Sequence, residues 1–169
     1  MLQSYIREVP DFPKKGIQFK DITPRLQDAL AFHQAVDALA VLIRGWKFDY
    51  IVCIEARGFV FGGALADRFE VGFIPVRKKG KLPYRSRSVS YDLEYGQASL
   101  EIHEDALKAG QKVLILDDLL ATGGTAKAAA ELAESCGAKV SGFLFLIELS
   151  FLKGKERLKG YPVSSLIQY

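Results

Sequence analysis

The chain has 169 residues, 49% hydrophobic and 25% charged, with a formal net charge of +3. That length suits one well-buried α/β unit and is too short for two, so residues 1–169 are expected to form a single domain. No lysine and arginine block of the kind that tracks a polynucleotide occurs, the N-terminal segment lacks an apolar secretion core, and no later stretch reaches membrane-spanning length. A soluble, cytoplasmic protein with neither a nucleic acid nor a membrane as partner is expected. Cys53 and Cys136 have neither metal-ligand nor redox spacing and read as free thiols.

Residues 1–25 open with a short amphipathic helix and then carry Pro10, Pro13, Gly16 and Pro24, which predicts a looped cap more than a regular element. Leu26, Leu30, Val36, Leu39, Ala40 and Ile43 recur at helical spacing before Gly45 and predict one helix packed on a sheet. Tyr50 to Ile54 reads as the first central strand, Glu55-Ala56-Arg57-Gly58 as a turn, Phe59 to Arg68 as a helix, and Val71 to Val76 as the next strand. Leu82 to Tyr91 is polar, with Pro83, three serines and two arginines, and is expected to be a mobile excursion; Tyr91 to Tyr95 and Gln97 to His103 alternate enough for two strands. Val140 to Leu149 is a long apolar strand, followed by a lysine-rich helix from Ser150 and a short strand near Val163. Strands alternating with helices imply right-handed crossovers and a mostly parallel sheet.

The most informative segment runs from Val113 to Thr125. Val113 to Leu116 reads as a strand covered on both faces, with Asp117 and Asp118 at its carboxyl end, where open α/β sheets bind ligands. Ala121-Thr122-Gly123-Gly124-Thr125 follows at once and leads into an alanine-rich helix, Ala126 to Ser135, with Gly137 as its C-cap. A glycine turn opening a helix aims several N–H groups at one spot and suits a phosphate. The carboxylates cannot face that phosphate, because an anion about 4 Å away costs on the order of 4 kcal/mol at an effective dielectric near 20. They must instead face ribose hydroxyls, a bound Mg²⁺ or positive charge developing on a sugar ring. No Gly-Lys-Ser/Thr follows the glycines, so a Walker-type nucleotide loop does not fit.

Leu-Asp-Asp-Leu-Leu-Ala-Thr-Gly-Gly-Thr resembles the phosphoribosyl pyrophosphate signature of type I phosphoribosyltransferases, and its Leu-Leu-Ala-Thr-Gly-Gly-Thr form is similar to that of the adenine-using members. The small N-terminal cap and the polar excursion at 82–96, read as a flexible lid, extend the similarity over nearly the whole chain. The resemblance implies transfer of the phosphoribosyl group from phosphoribosyl pyrophosphate to adenine, giving AMP and diphosphate, with Mg²⁺ bound chiefly through substrate oxygens rather than by direct side-chain ligation, in a homodimer. Ala121, Thr122, Gly123, Gly124 and Thr125 would hold the 5′-phosphate, Asp117 and Asp118 the ribose hydroxyls, and Ala56, Arg57, Arg77, Lys81 and Tyr95 the diphosphate. Glu94, in a Leu-Glu-Tyr-Gly segment that resembles the family's, would relay a proton, and Asp118 would favour the developing oxocarbenium ion.

For the base, Ile17-Gln18-Phe19-Lys20-Asp21-Ile22 is similar to the family's Val-Phe-Arg-Asp-Ile segment, which implies stacking on Phe19 and edge contacts from the Ile17 and Lys20 backbone. Lys20 stands where the family has arginine; a backbone contact survives that change, and a bidentate side-chain role does not. A transferase for hypoxanthine, guanine or xanthine remains open, as does a non-catalytic regulator that senses phosphoribosyl pyrophosphate, and whether Arg85 or Arg87 reaches a neighbouring subunit's site. His33 and His103 lack a second histidine at ligand spacing and read as surface or structural groups.

Overall fold

The computed structural model describes residues 2–92 and 96–169. After a single-turn helix at Leu2–Tyr5 come β1 (Arg7–Pro10), β2 (Gln18–Asp21), α1 (Thr23–Gln27), α2 (Ala29–Leu42), β3 (Tyr50–Ile54), α3 (Arg57–Phe69) and β4 (Gly72–Lys78). They are followed by β5 (Ser86–Asp92), β6 (Gln97–His103), β7 (Lys112–Leu120), α4 (Gly124–Ser135), β8 (Lys139–Glu148) and β9 (Val163–Gln168). Among the described residues β5-β6-β4-β3-β7-β8-β9 form one sheet in that order. The β4-β3-β7-β8-β9 neighbours pair in parallel, while β4-β6 and β5-β6 pair antiparallel.

Both faces of the central strands β3, β7 and β8 are covered, which is why their middles read as apolar runs. Side chains alternate between faces with period two. Val52, Ile54, Val113 and Ile115 pack with Ala129, Leu132 and Ala133 of α4, while Ile51, Cys53, Leu114 and Leu116 pack with Leu39 of α2 and Phe61 and Leu65 of α3. Gly62 lets α3 approach closely, since a Cβ there would lie 2.0 Å from the Cys53 sulfur. No helix among the described residues is long and apolar enough to cross a membrane.

Several local expectations are corrected by tertiary contacts. The cap holds a regular element: β1 and β2 pair antiparallel, Arg7 opposite Asp21 and Pro10 opposite Gln18. The single helix predicted from Leu26 to Ile43 is two, because Asp28 takes an extended conformation and its carboxylate accepts the Ala31 N–H at 2.8 Å as an N-cap. That break resets the helical phase, so Leu30 faces solvent; Arg25 in α1 is buried, its guanidinium donating to the Ala31 carbonyl at 3.1 Å. The polar segment expected to be an excursion forms β5 from Ser86, held edge-on by β6, and Arg87 donates to the Ser135 carbonyl at 2.9 Å, satisfying an orphan acceptor at the end of α4. The helix expected from Ser150 is two single turns, Ser150–Leu152 and Gly154–Leu158, separated by Lys153 at φ 53°.

Candidate active site

The strand order reverses between β3 and β7. The chain leaves β3 for α3 on one face of the sheet and leaves β7 for α4 on the other, and such a divergence opens a crevice at the carboxyl ends of the two strands. β3 stays paired with β7 only as far as Cys53 opposite Leu116, whereas β7 runs on to Leu120 alongside β8. Asp117 and Asp118 therefore belong to the strand itself, beyond the Leu116 end predicted from the apolar run, with an edge free of β3.

Asp118 is buried, and its Oδ2 accepts from Arg57 Nε at 2.5 Å. The same Arg57 guanidinium lies 5.1 Å from the centre of the Phe19 ring, so one side chain joins the acid pair to the cap. Gly58, directly after Arg57, permits this approach, because a Cβ there would sit 3.1 Å from Asp117 Oδ1 and 3.2 Å from its Cα. Burial first, and then the neighbouring Asp118 charge, hold the Asp117 carboxyl well above the ordinary carboxylate range, although the Asp118 N–H donates to Oδ1 at 2.8 Å.

A carboxyl whose pKa is raised in the folded state binds its proton to higher pH than in the unfolded chain, so its contribution to stability is lost as pH rises through the folded value. Asp117→Asn removes that loss. Its melting temperature is expected to gain on the wild type as pH rises from about 4 to about 8, by roughly 2–4 °C for each kcal/mol relieved, and thermal melts across that range check it. A pH-independent difference would argue against the raised carboxyl.

Arg77 and Lys81 stand at the adjacent strand end. Ile54 lies opposite Val76 in the parallel ladder, which brings Glu55 beside Arg77. The Glu55 side chain, only 4% exposed, accepts from Arg77 Nε at 2.7 Å and pairs with Lys81 Nζ at 3.2 Å. Burial on its own would raise the Glu55 pKa, but Arg77, Lys81 and the Lys78 N–H outweigh it and leave it lowered, so the carboxylate stays ionised and anchors both cations at the crevice rim. Glu55 was not singled out from sequence; opposite charges following the ends of neighbouring parallel strands are the signal that could have found it. Ala56 is the N-cap of α3 and exposed.

The turn from Ala121 to Thr125 leads into α4 as expected. Gly123 has φ +84° and serves as its N-cap residue. The turn is braced by a segment that sequence reasoning passed over: a Cβ on Gly154 would fall 2.3 Å from the Ala121 carbonyl, and one on Gly123 would fall 2.5 Å from the Gly154 carbonyl. Thr125 Oγ1 donates to the Tyr91 hydroxyl at 3.3 Å, tying the turn to the end of β5.

In the cap, Phe19 is half-buried and meets Phe12 edge-on at 5.1 Å. Lys20 pairs with Glu8 and lies 3.8 Å from the centre of the Tyr169 ring, so its side chain is already engaged. The Ile17 backbone is also in use: its N–H donates to the Lys14 carbonyl at 3.2 Å and its carbonyl accepts from Phe12 at 3.3 Å, which leaves the carbonyl's second lone pair. Glu94 and Tyr95 lie outside the described residues. His33 pairs with Asp37 at 3.4 Å on an exposed face, and Arg85 pairs with Glu104 at 3.9 Å.

The fold thus gathers a glycine-threonine turn, the two acids that precede it and the Glu55-anchored cations at the carboxyl ends of neighbouring parallel strands, the arrangement of a doubly wound transferase-like α/β sheet. The phosphoribosyl transferase domain model matches residues 24–164. The adenine phosphoribosyltransferase of Caldanaerobacter subterraneus subsp. tengcongensis is 58% identical over 99% of this chain and 97% of its own, and that of Kosmotoga olearia is 54% identical over 99% of each. The crystal structure of adenine phosphoribosyltransferase from Thermoanaerobacter pseudethanolicus superposes with a TM-score of 0.98 at 57% identity, covering 99% of this chain and 98% of that one. The Saccharomyces cerevisiae enzyme, solved with adenine and an imino-altritol bisphosphate, superposes at 0.91 with 43% identity over 98% and 96%. The chain belongs to the phosphoribosyltransferase family, and within it to the adenine phosphoribosyltransferases.

Proposed function

We propose that the protein transfers the phosphoribosyl group of phosphoribosyl pyrophosphate to adenine, giving AMP and diphosphate. The observation that carries this reading is the double contact of Arg57, on the buried Asp118 and on the face of Phe19. It brings a base platform, a cation and an acid to one point, where a glycosidic bond to a flat base has to form.

In this reading Ala121 to Thr125 hold the 5′-phosphate through N–H groups and threonine hydroxyls, while Asp117 and Asp118 hold the ribose hydroxyls. Arg57, Arg77 and Lys81, with the Ala56 backbone, receive the departing diphosphate, and Glu55 keeps the latter two cations in place. Phe19 stacks on the adenine ring, and the Ile17 carbonyl and Lys20 backbone contact its edge. Asp118 offsets the positive charge that grows on the ribose as its bond to diphosphate lengthens. Glu94 relays the proton released by the attacking base, and Tyr95 assists with the diphosphate. Remote contacts to the 5′-phosphate fix the anomeric carbon against the base.

Among the described residues no three histidine, cysteine, aspartate or glutamate side chains converge as a metal cage. Two adjacent acids fit a hard cation that takes most of its ligands from substrate oxygens and water, so Asp117 and Asp118 would help hold Mg²⁺ through the bound substrate rather than by a cage of side chains. The chemistry such a cation would supply when bound is neutralisation of charge on the leaving group. A homodimer in the cytoplasm completes the reading, on the strength of the family resemblance.

Incubation with phosphoribosyl pyrophosphate, Mg²⁺ and each purine base in turn, with the nucleotides resolved, is expected to yield AMP in large excess over IMP, GMP or XMP. Adenine's six-position amino group needs an acceptor where the oxo purines need a donor, and a missed buried pair discriminates by about 10⁴ or more. A higher rate with hypoxanthine or guanine would refute the base assignment.

A further inference from the structure

The phosphate-binding turn contains no cation of its own. Its donors are neutral N–H groups and hydroxyls. One cationic side chain does reach it from a segment some thirty residues later. A Cβ built on Gly123 would lie 3.3 Å from Arg157 Cβ, and one built on Gly124 would lie 3.3 Å from Arg157 Nη1. The Arg157 side chain therefore runs along both glycines and ends beside the first residue of α4, the 12-residue helix whose N-terminus the turn caps.

The place is set by the fold on several counts. Gly154 seats the Gly154–Leu158 turn against the Ala121 carbonyl, and Leu158, 1% exposed, pins its far end in the core. Lys155, on the same turn, pairs with the buried Glu148 at 2.7 Å, so the two cations of the turn part company: Lys155 goes to a carboxylate and Arg157 goes to the glycines. Among the described residues no carboxylate lies within ion-pair distance of Arg157, although the side chain is exposed and long enough to find one.

We infer that Arg157 is a further residue of the 5′-phosphate subsite, its guanidinium pairing with the dianionic phosphate that the Ala121–Thr125 turn receives. The inference rests on the assignment of that turn to the 5′-phosphate. A planar donor fork matches phosphate oxygens and leaves the turn's N–H groups free to bind the others. The contact lies at the solvent edge, so it is worth less than an enclosed one.

Ribose 5-phosphate and inorganic diphosphate, titrated calorimetrically into wild type, Arg157→Gln, Arg157→Lys and Thr125→Ala, test it. Arg157→Gln is expected to weaken ribose 5-phosphate binding about tenfold, to leave diphosphate binding within about twofold, and to reduce the salt dependence of ribose 5-phosphate binding. Arg157→Lys, which keeps the charge, is expected to retain most of the affinity and the salt dependence. Equal losses in the lysine and glutamine variants, or an unchanged ribose 5-phosphate affinity in Arg157→Gln while Thr125→Ala weakens it, would overturn the role of Arg157. If Thr125→Ala also bound ribose 5-phosphate as tightly as wild type, the assignment of the turn would fall with it.

Discussion

Asp118→Asn is expected to lower the turnover number by about two to three orders of magnitude while the protein stays folded. Asparagine keeps the shape and one acceptor oxygen but removes the charge that offsets the growing ribosyl cation, and the loss of one such electrostatic contact in an enclosed site costs roughly 2.7–4 kcal/mol of barrier. It also strips Arg57 of its 2.5 Å ion-pair partner, freeing the guanidinium that bridges to Phe19. Stability should not fall in step, because two adjacent carboxylates repel and the substitution relieves Asp117. Steady-state rates at saturating substrates, taken with thermal melts, separate these effects. Turnover within about threefold of wild type would remove Asp118 from its assigned part.

Gly123→Ala should be nearly as damaging, by a different route. The position has φ +84°, which costs an L-residue on the order of 1 kcal/mol, and the added methyl would lie 2.5 Å from the Gly154 carbonyl. A backbone oxygen has no rotamer to escape into, so the turn has to move, and the N–H groups assigned to the 5′-phosphate move with it. The Michaelis constant for phosphoribosyl pyrophosphate is expected to rise about a hundredfold or more, with a melting temperature lower by about 5–10 °C. Gly63→Ala supplies the comparison: it lies in α3 with nothing within 4 Å of the added Cβ, and alanine favours a helix by about 1 kcal/mol. Kinetics of the two variants side by side distinguish loss of the cradle from a general intolerance of larger residues; an unchanged Michaelis constant in Gly123→Ala would contradict the phosphate assignment.

The strand Tyr50–Ile54 and the helix after Gly123 could be read from the chain because their causes are local. A buried parallel strand must be apolar on both faces, and an alanine-rich run after a glycine turn has few alternatives to a helix. The placement of the two acids at the end of β7 and of the Ala-Thr-Gly-Gly-Thr turn before α4 could be read for the same reason: strand, acids, turn and helix follow one another along the chain. Where the reading failed, the cause was non-local. β7 continues to Leu120 because β8 pairs with it there, although the apolar run stops at Leu116. Ser86–Asp92 is polar and mostly exposed, yet it is a strand because β6 offers an edge. Leu30 points outward because one aspartate cap shifted the phase of the helix that follows.

The candidate site divides along the same line. Acids, turn and flanking cations are announced by residue type and spacing, since each meets its chemical demand within a few positions of the chain. The pairing of Arg57 with both Asp118 and Phe19, the anchoring of Arg77 and Lys81 on Glu55, and the bracing of the turn by Gly154 with Arg157 alongside join residues from 22 to 61 positions apart or come from a separate C-terminal turn. Such contacts leave no periodicity behind, because they depend on which strand lies next to which. The amino-acid order therefore specified the candidate groups of the site, and the three-dimensional arrangement selected their partners, since burial and charge pairing operate through space and not along the chain.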